Sequence, residues 1–157
     1  LLMVSIVMII SGTVCAFVVS LKADKEATQI YLVTRDVSSV DEHFLEIAPS
    51  CKVIDYVELE SIKGDVIINC TPVGMYPKVE AAPVSAKVCA NFEAAVDLIY
   101  NPAETLFLRQ AKEAGKKYVN GLFMLVAQAV AAQEIWQGQQ YDSELIVKII
   151  ADLERNI

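Results

Sequence analysis

Short apolar runs, each closed by polar or turn residues, recur along most of the chain. Val66-Ile67-Ile68 is the clearest, ending at Asn69-Cys70-Thr71-Pro72. A continuous run of this kind suits a strand buried on both faces of a parallel sheet. Pro72 has no N–H for a ladder, so the strand must stop there. The same pattern predicts strands at Met3 to Ile10, Ile30 to Val33, Val53 to Val57, Asp65 to Cys70, Ala94 to Tyr100 and Lys117 to Val119. Between them, helical spacing predicts a helix from Thr13 to Ala23, with Val14, Phe17, Val18 and Leu21 on its buried face. Val40 to Ala48 reads as a short helix stopped by Pro49, and Glu58 to Lys63 as a helical turn. Glu104 to Ala114 is amphipathic through Leu106, Leu108 and Ala111, and ends at Gly115. A strongly apolar helix follows from Gly121 to Trp136. A last one runs to Arg155, capped by Asp142 or Ser143, with Leu145, Ile146, Ile149 and Leu153 as its stripe. Residues 78–92 carry no readable pattern.

Strands alternating with helices argue an α/β fold. The expectation is one Rossmann-like domain over residues 1–157, doubly wound. Its mainly parallel sheet would have about six strands, with helices on both faces. In such sheets ligands bind beyond the carboxyl ends of the strands. The polar end after Ile68, with Pro72 and Gly74, is therefore a candidate site edge, the plainer reading being a strand-to-loop turn.

Composition narrows the function. The net charge is −7, from 20 acidic and 13 basic residues. That disfavours a nucleic-acid partner, which calls for a basic surface. The four cysteines, at 15, 51, 70 and 89, form no C-x-x-C pair and lie near no histidine at metal spacing. This pattern fits a reduced, cytoplasmic protein without a zinc site. His43, the single histidine, sits in a polar stretch and is assigned no role. Cys70 reads as a small packed hydrophobe. Residues 1–21 are uncharged and long enough for a membrane span or a signal h-region. No basic region precedes them, and Ser11-Gly12-Thr13 interrupts them. Both features favour a strand, turn and helix over a membrane segment.

Three motifs, in order, add a family resemblance. Asn69-Cys70-Thr71-Pro72-Val73-Gly74-Met75 is followed by Asp97-Leu98-Ile99-Tyr100-Asn101-Pro102 with Thr105, then by Gly121 with Met124-Leu125 and Gln128. Together these resemble the cofactor domain of shikimate dehydrogenases, specifically from about Asp65 to Gly138. The resemblance implies NADP as cofactor and a shikimate/3-dehydroshikimate substrate shared with an N-terminal domain. The family's catalytic Lys–Asp pair lies in that domain, and no residue here matches either member, so no catalytic residue is assigned and the chain alone is expected to be inactive. The C-terminal helices, about 121–157, would pack toward that domain. A homodimer is compatible with the sequence.

Residue by residue, the phosphate loop falls at Ser11, Gly12 and Thr13. Only Gly12 survives of the family's glycines, since Ile10 and Thr13 bring β-branched side chains. At the end of the second strand come Thr34 and Arg35. An Arg there suits a 2′-phosphate, the plainer reading being a solvated loop charge. Asp36 beside it departs from the family pattern and would partly repel a phosphate. Thr71, Pro72, Val73, Leu98 and Gly121 complete the cofactor set, with Leu98 and Gly121 matching residues at the nicotinamide. Tyr100 and Gln128 match substrate contacts. Tyr100 also reads as a packed strand-end aromatic, and Gln128 as an amide that caps nearby backbone. Asp97 reads as a structural or hinge residue. The rival reading of the whole is a binding module of the same ancestry whose altered glycine loop has lost the dinucleotide. A membrane-anchored protein using residues 1–21 is a third.

Overall fold

The computed structural model describes residues 4–9, 27–40 and 51–155. Six parallel strands form one sheet: β1 (Val4–Ile9), β2 (Ala27–Val33), β3 (Cys51–Ile54), β4 (Gly64–Asn69), β5 (Phe92–Asp97) and β6 (Lys117–Val119). Their spatial order is β3-β2-β1-β4-β5-β6. This is the order of a dinucleotide-binding sheet, with the reversal between β1 and β4. The inner strands have six or seven residues, whereas β3 has four and β6 three.

The described helices are α1 (Tyr56–Leu59), α2 (Ala86–Cys89), α3 (Leu106–Glu113), α4 (Leu122–Gln137) and α5 (Ser143–Glu154). A 3-10 turn spans Val37–Ser39. The helix expected at 13–23 and nearly all of that at 40–48 lie outside the described residues. Other expectations shift: β2 begins at Ala27 rather than Ile30, and the helical turn expected at Glu58 to Lys63 is α1, which opens at Tyr56 and closes at Leu59. The third strand ends at Ile54 rather than Val57, because the Asp55 carboxylate accepts the N–H groups of Val57 and Glu58 at 2.9 and 2.8 Å and starts α1 there. The fifth strand begins at Phe92 and closes at Asp97, three residues before Tyr100. The unread segment holds α2, whose N-cap is Ser85. On α3 the buried face is Phe107, Leu108 and Ala111, with Leu106 only half-buried.

The main core gathers Ile9, Val33, Ile54 and Ile67 from the strands, with Leu59, Val88, Phe107 and Leu108 from the helices. Burying each large aliphatic or aromatic side chain contributes roughly 1.5–3 kcal/mol. A second cluster joins the last two helices, where Leu122, Val126 and Val130 are buried against Tyr141, Ile146, Ile149 and Ile150. No residue of α5 is itself buried. An apolar trough of about 420 Å³ runs between α4 and α5, lined by Leu125, Ala129, Leu145 and Leu153 among others. Among the described residues no helix is long and apolar enough to cross a membrane.

Candidate functional site

Strand register sets the site. Ile54 pairs with Val33, Val33 with Ile9, Ile9 with Asn69, and Asn69 with Asp97. These five residues form one level row across the sheet, and all five strands point the same way. The loops that follow them therefore leave from one edge, at the carboxyl ends. Thr34, Arg35, Thr71, Pro72, Val73, Leu98 and Tyr100 are all brought to this edge. Ser11, Gly12 and Thr13, which follow β1 in the middle of the row, lie outside the described residues.

After β2, the Thr34 N–H donates to the Ile54 carbonyl at 3.1 Å. Asp36 caps the next turn, its Oδ1 accepting the Ser38 N–H at 2.9 Å and the Ser38 hydroxyl at 2.6 Å. This is where the departure at Asp36 is accommodated, with the carboxylate held by its own turn. Arg35 is exposed. Its positive charge reaches the Tyr56 phenol, where it partly offsets the rise that burial imposes on that group. Tyr56 had no signal in the sequence. It reaches this edge because α1 begins directly after β3.

After β4 and β5 the polar groups are shared rather than free. Asn69, Asp97 and Thr105 are fully buried, and Thr71 nearly so. The Asn69 amide donates to Asp97 Oδ1 at 3.0 Å and to the Val73 carbonyl at 3.2 Å. Its oxygen accepts the Thr71 N–H at 3.0 Å and the Thr71 hydroxyl at 2.7 Å. The Thr71 hydroxyl is thus committed to Asn69, so its part in the site is to shape the Thr71–Gly74 turn. Gly74, at φ 98°, completes that turn, and a Cβ there would lie 3.0 Å from the Ala81 carbonyl oxygen. Asp97 accepts the Ile99 N–H at 3.1 Å and the Thr105 hydroxyl at 2.6 Å. Burial raises its carboxyl above the ordinary range, while the bonds from Thr105, Ile99 and Asn69 pull the other way. Cys70 is pushed up to about 12, first by burial and then by the Asp97 charge. It is half-buried beside this network rather than packed in the core.

Gly121 closes the arrangement. Its N–H donates to the Ile99 carbonyl at 3.0 Å. A Cβ on it would sit 2.0 Å from the Leu98 carbonyl oxygen, so only glycine lets α4 begin against this loop. Asn120 secures the same junction, donating to the Ala103 carbonyl at 2.9 Å and accepting the Leu122 N–H at 3.1 Å. Tyr100 is 44 % exposed, which removes its reading as a packed core aromatic. Gln128 is exposed as well, so its amide meets solvent here and has no need of the buried partner a core position would demand.

The edge as a whole offers the exposed Arg35 guanidinium beyond β2 and hydrogen-bonded loops beyond β4 and β5. Such an edge can bind an extended molecule with phosphate at one end and a flat ring at the other.

Comparison with known proteins agrees with this geometry. No protein-family model matches the chain. The NADP(+) shikimate dehydrogenase of Clostridium beijerinckii is 41% identical over 137 residues, covering 86% of this chain and 49% of that protein. Among solved structures, a chorismate mutase/shikimate 5-dehydrogenase fusion protein from Clostridium acetobutylicum superposes with a TM-score of 0.87 at 49% identity. It covers 98% of this chain and 55% of its own. A shikimate dehydrogenase solved in complex with NADP+ superposes with a TM-score of 0.73 at 27% identity, over 97% of this chain and 55% of that one. In sequence and in fold, this chain is a relative of the shikimate dehydrogenases and spans about half the length of those it matches.

Proposed function

We propose that this chain is the NADP-binding portion of a shikimate dehydrogenase, a doubly wound domain with helices on both faces. The full enzyme would interconvert 3-dehydroshikimate and shikimate in aromatic amino-acid biosynthesis. The observation that carries this reading is the level row of strand ends, with exposed Arg35 beyond β2 and the Asn69–Asp97 loops beyond the reversal between β1 and β4. NADP would supply or accept the hydride. Arg35, with Thr34 beside it, would hold the 2′-phosphate by charge-assisted bonds. Thr71, Pro72, Val73, Leu98 and Gly121 would flank the nicotinamide and keep water from it. Tyr100 and Gln128, both exposed, would face substrate. Nothing in the described residues is placed to move the substrate's hydroxyl proton, so that group would come from the other half of the enzyme. The apolar trough and the unburied stripe of α5 support a packing of residues 121–157 against that half.

Titration of this chain with NADP+ and NAD+ tests the reading. NADP+ should bind more tightly, and Arg35→Ala should narrow the gap, since a charge-assisted phosphate contact contributes roughly 1.5–3 kcal/mol. Equal affinities for the two cofactors would refute the role of Arg35. No binding of either would favour the second reading, a related binding module whose altered loop at Ile10 and Thr13 has lost the dinucleotide.

A further inference from the structure

We propose that Asp97 is a positioning residue for the nicotinamide half of the cofactor, its buried carboxylate tying the loops after β4 and β5 into one rigid unit with Asn69 and Thr105. The inference rests on the cofactor reading above and adds a division of labour within that site.

The argument starts from donors and acceptors. The Asn69 amide is orientated by partners that allow only one choice: the Thr71 N–H can only donate, and the Val73 carbonyl can only accept. Its remaining N–H must therefore meet an acceptor, and Asp97 Oδ1 supplies one at 3.0 Å. The other carboxylate oxygen accepts the Thr105 hydroxyl at 2.6 Å, and that hydroxyl accepts the Leu108 N–H at 3.3 Å as the N-cap of α3. One chain of bonds thus runs from the start of α3, through Asp97 and Asn69, to the Thr71–Val73 turn. Ile99 hangs from the same carboxylate through its N–H and accepts the Gly121 N–H in turn. Leu98, between them, carries the carbonyl against which Gly121 packs.

Among the described residues no cation forms an ion pair with this carboxylate; the ion pairs there involve Lys52, Lys112, Lys116 and Arg155. A fully buried carboxylate held by three neutral donors is costly for stability, and apolar residues of similar volume would serve a core better. A fully satisfied polar network, however, selects one arrangement of the backbone around it. Everything this network fixes lies at the carboxyl ends of β4 and β5. In a sheet built from two mononucleotide-binding halves, those ends serve the nicotinamide, while β1 to β3 serve the adenosine.

The test compares NADP+ with adenosine 2′,5′-bisphosphate, which carries the adenine and the 2′-phosphate but no nicotinamide. The unmutated chain should bind NADP+ more tightly than the bisphosphate. Asp97→Asn keeps the shape but leaves the Thr105 hydroxyl without an acceptor. It should weaken NADP+ about tenfold or more while leaving the bisphosphate within about twofold, as expected for loss of one charge-assisted contact. Thr105→Val should act likewise, and Thr105→Ser, which keeps the hydroxyl, should restore NADP+ affinity. Phe92→Leu, a buried change at the opposite end of β5, controls for lost stability and should alter neither ligand. If Asp97→Asn does not fold, the Thr105 pair carries the comparison. Unchanged NADP+ affinity in Thr105→Val, or equal weakening of both ligands, would overturn the inference while leaving the cofactor reading standing. Failure of the unmutated chain to bind either ligand would overturn both.

Discussion

Alanine at Gly121 should be among the most disruptive single-methyl additions in this protein. The backbone there is ordinary, at φ −78° and ψ 0°, so no left-handed strain is involved and a side chain is excluded by contact alone. The new Cβ would lie 2.0 Å from the Leu98 carbonyl oxygen and 2.5 Å from its carbon. Restoring ordinary contact requires the two backbones to part by roughly 1–1.5 Å. That movement stretches the Gly121 N–H bond to the Ile99 carbonyl, now 3.0 Å, beyond useful length. Overpacking costs about 1–3 kcal/mol and the lost bond about 1 kcal/mol, while the reduced freedom of the unfolded chain returns about 0.5–1 kcal/mol. The net expectation is a loss of about 1–3.5 kcal/mol, which for a chain of this size lowers Tm by roughly 2–14 °C. Urea unfolding followed by far-ultraviolet circular dichroism measures it, with Gly115→Ala as comparison. Gly115 has φ 70° and nothing within 4 Å of a Cβ, so its substitution costs only the left-handed penalty of about 1 kcal/mol. If Gly121→Ala proves no more destabilising than Gly115→Ala, the close approach of α4 to the Leu98 loop is wrong.

Three further outcomes follow from the structure. Because burial raises the Asp97 carboxyl in the folded chain, the native state holds its proton to higher pH than the unfolded one. The stability of the unmutated protein relative to Asp97→Asn should therefore fall as pH rises from the unfolded value through the raised one, then level off; urea titrations across the acid range would show it, and a relative gain over that span would contradict it. Cys70 and Cys89, pushed up to about 12 and about 11 mainly by burial, should resist iodoacetamide at pH 8 in the native protein and react on unfolding, as peptide mass spectrometry can follow. Asp55→Ala removes the acceptor for two N–H groups at the start of α1 and should destabilise by about 1 kcal/mol, measurable as a shift of the urea midpoint at constant slope.

Much of this was legible in the sequence where a local rule decided it. The β4 run ended at Pro72's neighbourhood because the strand, its polar end and the proline all pointed one way. Gly115 and Gly138 marked the ends of α3 and α4. Where two local signals competed, the nearer one lost. Val53 to Val57 looked like one strand, but the Asp55 side chain offered the backbone a helix start in its midst. The apolar count on α3 favoured Leu106 over Phe107, and only the sheet beneath decides which faces inward. The site was legible as motifs but not as a network: Asn69 and Asp97 stand 28 residues apart, and it is the register of two adjacent strands that puts them side by side. Gln128 shows the reverse limit, since an amide within an apolar run suggests burial until the partner helix is seen to leave that face open.

The shortness of the outermost strands has a bearing on how this protein behaves in crowded solution. An exposed strand edge is a row of unpaired backbone groups, a template on which another chain can add. Here one edge is β3, with four residues, and the other β6, with three. Lys52 projects from the first, exposed and 3.9 Å from Glu58, and on the second the Lys112 ammonium lies 5.7 Å from the ring centre of Tyr118. An incoming strand would find only a few bonds to make and would have to strip water from a charge to make them. The long, apolar strands that would propagate a fibril are the four in the middle, each already paired on both sides.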